Sequence, residues 1–534
     1  MSWWRDAVVY QVYPRSFADA NGDGVGDLPG IESRLPYLRD LGVDALWINP
    51  WYVSPMADGG YDVADYRAVD PVFGTLWDAE RLIRAAHRHG LRIIVDLVPN
   101  HTSDRHPWFQ AALAAAPGSP ERARFHFRDE PNNWRSRFGG PAWTRLDDGQ
   151  WYLHLFDTAQ PDLNWDHPEV RAEFEAVLRF WLDRGVDGFR IDVADRLVKQ
   201  AGLPDRPVRE TGAPTFTEDG ARPGARPGDQ PDKDRPEVHE IYRSWRRVLD
   251  EYPDRAFVGE MWVTDPERFA MYLRPDELHT AFNFAFLKCA WEARALRGVV
   301  DATIATHARV GAPPTWVLSN HDVTRHATRY GRADTRFTKR IHDVPTDHAL
   351  GERRARAAAL LSLALPGGAY VYQGDELGLP EVFDLPDEAR QDPVFRRTGG
   401  VDLGRDGCRV PLPWGGDAPP FEFGEGGSWL PQPAAWRDRT AARQLGDPAS
   451  MLSLYRLALR IRREEPGLGD GPLRWLDLGD GVLAFARDPG VACVVNLSGE
   501  PVALPEGAPL IASAELTGRD GTALPPDAAV WLRI

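Results

Sequence analysis

The chain is short of cysteine. Cys289, Cys408 and Cys493 are the only three in 534 residues. They are far apart, odd in number and never spaced CxxC, which excludes a disulfide framework and a cysteine-based zinc site. Basic charge is also scarce: 63 Lys and Arg face 79 Asp and Glu, for a net charge of −16. Without a basic footprint for phosphates, nucleic acid is excluded as a partner, and the acidic surplus reads as solubility. No stretch approaches the ~18 apolar residues of a membrane span. The start, MSWWRDAVVYQVYPRSF, has no basic segment followed by an apolar run. A cytoplasmic protein with no membrane partner is the expectation. No G-x-x-x-x-G-K-[ST] motif occurs, which argues against nucleotide binding.

Hydrophobic residues are plentiful at 43%, enough for a large core, and the 20 Trp, 22 Phe and 14 Tyr make the chain aromatic-rich. Most of these rings must pack in the core. Some are expected to face sugar rings, whose C–H faces lie well against aromatic planes.

A unit of short apolar strand, polar loop and amphipathic helix repeats along the chain. Expected strands fall at 7–13, 43–48, 91–98, 186–191, 256–260, 279–284, 316–319 and 369–373. Expected helices fall at 30–41, 77–89, 168–184, 235–251, 266–273, 287–310, 351–365 and 451–463. Parallel neighbours need crossover helices, so eight such units predict an α/β fold, a (β/α)₈ TIM barrel. The strands are apolar almost throughout, as expected for strands covered on both faces. The barrel is assigned to residues 1–100 and 166–465. Residues 101–165 are too long for a loop and read as a small domain inserted after strand three. Residues 200–236, rich in Pro, Gly and charge, read as a variable loop after strand four. From 466 to 534 short strands and turns predict a C-terminal antiparallel β-sandwich, with strands at 474–478, 482–487, 492–497 and 529–534.

In such a barrel the reacting groups sit at the C-terminal ends of the strands. Strand three ends in DLVPNH, strand four in GFRID, strand five in GEMW and strand seven in SNHD. These ends carry three carboxylates, Asp192, Glu260 and Asp322, which barrel closure would gather at one mouth. Two closely spaced carboxyl groups, one nucleophilic and one protonated, are the equipment for glycoside hydrolysis with retention. Arg190 lies two residues before Asp192 and therefore on the same side of the strand. Trp262 is expected to give Glu260 an apolar wall.

These motifs, DLVPNH at 96–101, GFRIDVAD at 188–195, GEMW at 259–262 and SNHD at 319–322, resemble the four signatures of glycoside hydrolase family 13, the α-amylase superfamily. Flanking segments such as VVYQVYPRSF, GYDVADY, QPDLNWDHPEV and AYVYQGDELGLP resemble its α-glucosidase and oligo-1,6-glucosidase branch. The resemblance runs from about residue 3 to residue 465. It implies Asp192 as nucleophile, Glu260 as general acid/base and Asp322 as a third, assisting carboxylate. It implies contacts to the innermost glucose from Tyr61, Asp62, His101, Arg190, His321 and Arg409. Phe138, Phe156 and Gln160 of the insert would wall the pocket. The loop carrying Asp19, Asn21, Asp23, Val25 and Asp27 resembles an oxygen-ligand site for a structural Ca²⁺ or Mg²⁺, remote from the carboxylates. No organic cofactor is implied.

The implied activity is that of a retaining exo-acting α-glucosidase on maltose- or isomaltose-type oligosaccharides, with transglycosylation when a sugar replaces water. Trehalose synthase, sucrose isomerase or a sucrose-cleaving enzyme on the same scaffold is the alternative; a transporter-associated subunit would have lost the acids and gained an anchor. Three positions depart from the pattern. Val193 leans toward tolerance of α-1,6 linkages, Asp195 replaces a common His and is expected to alter the aglycone side, and Asp375 replaces the usual Glu. The natural linkage and the oligomeric state stay open.

Overall fold

The computed structural model describes residues 2–206, 230–337 and 342–534. Much of the expected 200–236 loop therefore lies outside the described residues. Eight parallel strands form one sheet: β1 (Val8–Val12), β2 (Ala45–Ile48), β3 (Arg92–Leu97), β4 (Gly188–Ile191), β5 (Ala256–Gly259), β6 (Thr280–Ala281), β7 (Thr315–Val317) and β8 (Gly368–Tyr372). Their order is β6-β5-β4-β3-β2-β1-β8-β7, every ladder parallel. Between β6 and β7 no ladder is formed; instead the Thr315 hydroxyl donates to the Ala281 carbonyl.

The strands sort their side chains by parity. Val9, Ala45, Trp47, Ile94, Val258, Val317 and Tyr370 form one cluster inside the barrel. Val8, Tyr10, Leu46, Ile93, Val95, Phe189, Phe257 and Trp316 join the larger cluster shared with the surrounding helices. Both faces are buried, which explains the unbroken apolar runs. The inward parity continues past the apolar layer to Gln11, Asn49, Asp96, Arg190 and Asp192, so the barrel's C-terminal end is lined with polar groups.

The helices largely follow expectation, and the differences have local causes. The helix expected at 30–41 is two, Leu28–Ser33 and Leu35–Leu41. Pro36 has no N–H to return to the preceding turn, so the chain restarts at Arg34. The helix expected at 287–310 is also two, Phe284–Lys288 and Ala293–Ala308. Between them the Trp291 N–H goes to the Thr335 hydroxyl, a tertiary bond in place of a helical one. By contrast, Leu76–Arg88 starts as its sequence indicates, with a Thr75/Asp78 capping box.

Inserted after β3, Phe127–Arg128, Trp143–Arg145 and Trp151–Leu153 form a separate three-stranded antiparallel sheet. It packs over its own cluster of Trp134, Trp143, Leu153 and Leu155. At the C-terminus, β9 (Leu473–Leu476), β10 (Val482–Arg487), β11 (Val491–Asn496), β12 (Ala508–Ala512) and β13 (Ala528–Arg533) make an antiparallel sheet in the order β9-β10-β11-β13-β12. The edge strand β12 was not expected: Pro509 interrupts its pattern, and the register shifts between Pro509 and Ile511. The sheet docks on the barrel through Trp531, whose indole donates to Leu360 O at 3.1 Å.

Candidate active site

The four strand-end motifs meet at the mouth of the barrel. A cavity of about 740 Å³, counting its open mouth, is lined by Asp192, Glu260 and Asp322 together. Tyr61, His101, Phe138, Phe156 and His321 line it as well, so eight of the twelve expected catalytic and substrate-binding residues face one space.

Arg190 holds the centre. Its Nη1 donates to Asp192 Oδ1 and to Asp96 Oδ1, each at 2.7 Å, and its Nη2 donates to Glu260 Oε2 at 2.5 Å. One guanidinium thus tethers the two carboxyl groups that the sequence motifs mark as a candidate catalytic pair. Strand parity brings Arg190 and Asp192 to the same face, and the β4–β5 register sets Ile191 beside Gly259, so Glu260 follows at the neighbouring strand end. The backbone N–H of Val193 donates to Glu260 Oε2 at 3.1 Å, from a left-handed φ of 38° that is rare for a β-branched residue. Trp262 is more than an apolar wall: its indole donates to Glu260 Oε1 at 3.2 Å.

Burial chiefly pushes Asp192 well above the usual carboxylate range; Glu260, Asp96 and Asp322 add to this, while Arg190 opposes it. Burial likewise raises Asp96 to about 6 against the pull of Arg190. Arg190 itself stays charged, since Asp96, Tyr61, Glu260 and Asp192 outweigh the burial that would lower it. Asp322 goes the other way. Burial would raise it, but the guanidiniums of Arg405, Arg409 and Arg190 together hold it below the ordinary range. Arg409 Nη2 and Arg405 Nη1 reach its Oδ1 at 2.9 and 3.2 Å.

The wall formed by Gln11, Tyr61 and His321 is a connected network. Gln11 donates from Nε2 to His321 Nδ1 at 2.8 Å, which leaves the His321 Nε2–H as the donor side of a neutral ring. Burial keeps His321 well below the usual histidine range and pushes His101 down to about 4. Tyr61 stacks on His321, rings 5.3 Å apart and 8° from parallel, and its hydroxyl donates to Asp96 at 2.8 Å. Phe138 and Phe156 of the insert meet edge-to-face at 5.6 Å, closing one side.

Asp62 requires correction. It is fully buried, and its carboxylate accepts from Ser54 Oγ, Ala57 N and Asp58 N at 2.9, 2.9 and 3.0 Å. Those donors trap it beneath the turn, away from the cavity. The carboxylate that faces the cavity is Asp58, four residues earlier, paired with Arg405. The turn that presents it is made by Gly59 and Gly60, both at positive φ, and a Cβ on Gly59 would sit 2.7 Å from the Tyr13 hydroxyl. Gln160, Arg190 and Arg409 also stand behind the lining. Gln160 donates to Asp58 Oδ2 at 3.1 Å, and Arg409 acts on Asp322. Among the departures from pattern, Val193 lines the cavity, while Asp195 does not and its neighbour Arg196 does. Asp375 lies buried away from it, its Oδ2 accepting from Tyr372 N at 3.2 Å.

At residues 19–27 the donor set, three carboxylates, an amide oxygen and the Val25 carbonyl, suits a hard cation in chemistry. In this structure the side-chain oxygens turn onto the loop's own backbone. Asp19 accepts from Gly22 and Gly24, Asn21 from Asp23, Asp23 from Val25, and Asp27 from Ala20, Asn21 and Gly30. Among the described residues no group of three or more His, Cys, Asp or Glu is gathered as a metal would require.

This arrangement has known counterparts. The model of the α-amylase catalytic domain matches residues 11–471. The chain belongs to the α-amylase family, glycoside hydrolase family 13, in its α-glucosidase branch. It is 41% identical over 524 residues to a probable alpha-glucosidase of Rhizobium meliloti (strain 1021), covering 93% of this chain and 90% of the relative. Among solved structures it resembles the alpha-glucosyl transfer enzyme XgtA, at TM-score 0.87 and 38% identity, covering 100% and 99% of the two chains. It also resembles the trehalulose synthase MutB of Pseudomonas mesoacidophila MX-45, at TM-score 0.85 and 33% identity, covering 100% and 99%. No described helix is long and apolar enough to cross a membrane.

Proposed function

We propose that this family 13 enzyme is a retaining, exo-acting α-glucosidase. The observation that carries the reading is the single guanidinium of Arg190, behind the cavity wall, bridging Asp192 and Glu260, which both line the cavity. Glu260 protonates the glycosidic oxygen while Asp192 attacks the anomeric carbon, forming a covalent glucosyl-enzyme and releasing the aglycone. Water, deprotonated by Glu260, then attacks the same carbon, frees Asp192 and releases α-glucose. Asp322, kept ionised by Arg405 and Arg409, accepts sugar hydroxyls and stabilises the oxocarbenium-like transition state. Asp58, His101, His321 and Tyr61 supply the remaining polar and stacking contacts, and the Phe138–Phe156 pair confines the site to one terminal glucose. A sugar hydroxyl in place of water gives transglycosylation, and a cytoplasmic location fits small oligosaccharide substrates. We assign a structural Ca²⁺ or Mg²⁺ to the loop of Asp19, Asn21, Asp23, Val25 and Asp27 on its oxygen-donor chemistry.

The test is turnover of maltose and isomaltose by the Asp192→Asn and Glu260→Gln variants. Loss of both activities in both variants is expected, and survival in either rejects the assignment. The likeness to MutB favours a second reading, sucrose isomerisation. NMR of the products formed from sucrose distinguishes it from hydrolysis.

A further inference from the structure

Arg196 lines the cavity although only 2% of its side chain is exposed, and the roles assigned above do not use it. It stands one turn beyond the nucleophile, its N–H bonded to Val193 O at 2.9 Å. Its Nη1 donates to Asp232 Oδ2 at 3.1 Å, and Asp232 is completely buried. Arg206 also grips Asp232, with Nε at 2.8 Å from Oδ1. Burial would raise the Asp232 carboxyl, but Arg206 and Arg196 hold it low and ionised.

Asp232 is itself anchored from two sides. The chain around Arg206 is tied to the inserted domain: Trp134 Nε1 donates to Pro204 O at 2.9 Å, Asn132 Nδ2 to Leu203 O at 2.9 Å, and Asn133 exchanges bonds with Asp205 and Arg206. On the barrel side, Asp234 N donates to Asp195 O at 2.6 Å, and Arg268 and Tyr272 hold the Asp234 carboxylate. Lys233 reaches Trp262 O at 3.5 Å, two residues beyond Glu260.

The turn that carries Arg196 is bonded to Glu260, through Val193 N to its Oε2 and Ala194 N to its carbonyl, and both residues line the same cavity. The groups assigned to glucose, Asp58, His321, Asp322, Arg405 and Arg409, form their own bonded network. The acid must meet the glycosidic oxygen, so the leaving group lies on the Glu260 side. We propose that Arg196 is the aglycone-binding residue of the pocket, positioned by Asp232, and that it selects a second sugar, whose hydroxyls accept from a guanidinium, over a flat aryl aglycone. The proposal rests on the glucosidase reading and deepens it.

The test compares kcat/KM for maltose and isomaltose with that for p-nitrophenyl α-glucoside, in the full-length enzyme. Arg196→Met should lower the disaccharide values by roughly tenfold or more, the loss of a charge-assisted contact, and change the aryl value less than about threefold. Arg196→Lys should restore part of the disaccharide value. Asp232→Asn, which keeps shape and removes the anchor's charge, should shift the same ratio in the same direction. An unchanged ratio in the Met and Lys variants, or equal losses on both substrate types, overturns the proposal. A wild-type enzyme that cleaves neither substrate type overturns the glucosidase reading as well. A wild type that cleaves both, with the ratio unmoved by the substitutions, overturns only the role of Arg196.

Discussion

Replacement of Arg190 is the most searching perturbation of this site. Three carboxylates, Asp96, Asp192 and Glu260, depend on one guanidinium whose side chain is 3% exposed. A lysine keeps the charge but presents a single nitrogen in place of the fork, and cannot serve all three acids at their present positions. Losing two charge-assisted hydrogen bonds at about 1.5–3 kcal/mol each costs about 3–6 kcal/mol of organisation around the reacting groups. On the rate scale that is a fall of roughly 10²- to 10⁴-fold in kcat/KM for Arg190→Lys. Arg190→Met goes further, leaving buried acids without a cation, and should cost about 3–5 kcal/mol of stability. The pH profile separates a catalytic effect from a folding effect. As the proposed nucleophile Asp192 must be ionised, and its carboxyl is raised, so activity is expected to be lost as pH falls through a value above the ordinary carboxylate range. Arg190 opposes that rise, so its removal must move the acidic limb to still higher pH. The assay is kcat/KM for p-nitrophenyl α-glucoside from about pH 4 to 8, beside thermal unfolding of each variant. Activity of Arg190→Lys within about threefold of wild type, or an acidic limb unmoved in Arg190→Met, would refute the reasoning.

The corrected assignment of Asp58 predicts that Asp58→Asn lowers kcat/KM by roughly 10²-fold with little change in melting temperature, whereas Asp62→Asn acts mainly on stability; kinetics and calorimetry of the pair decide it. Burial pushes His307 down to about 4, where it sits neutral against Pro313 O. The unfolded chain takes up that proton near pH 6.5 and the folded chain only near 4, so this residue's contribution is lost as pH falls across that window. His307→Asn should flatten the dependence of stability on pH there by up to about 1.4 kcal/mol per pH unit, measured by urea titration. For the loop at 19–27, added Ca²⁺ should raise the melting temperature and a chelator lower it, and Asp23→Ala should abolish the difference; identical melting curves with and without the ion reject the site.

Much of this was legible along the chain because its causes are local. Strand parity alone places Arg190 and Asp192 on one face, and alternation with helices dictates a parallel sheet. Each acid follows an apolar strand, so its place at the barrel's C-terminal end needs only the strand assignment. What the sequence could not decide is which of two nearby acids, Asp58 or Asp62, faces the cavity. That depends on a turn whose backbone donors capture one carboxylate and release the other. Nor could it show that Arg405, Asp322 and Asp58 share contacts across nearly 350 residues, or that Asp232 reaches back to Arg196. Such pairings are long-range and made by single side chains, with no periodicity to announce them. Sequence determined the fold and the strand ends that carry Asp192, Glu260 and Asp322; tertiary packing decided which charges neutralise which, and hence the shape and polarity of the pocket.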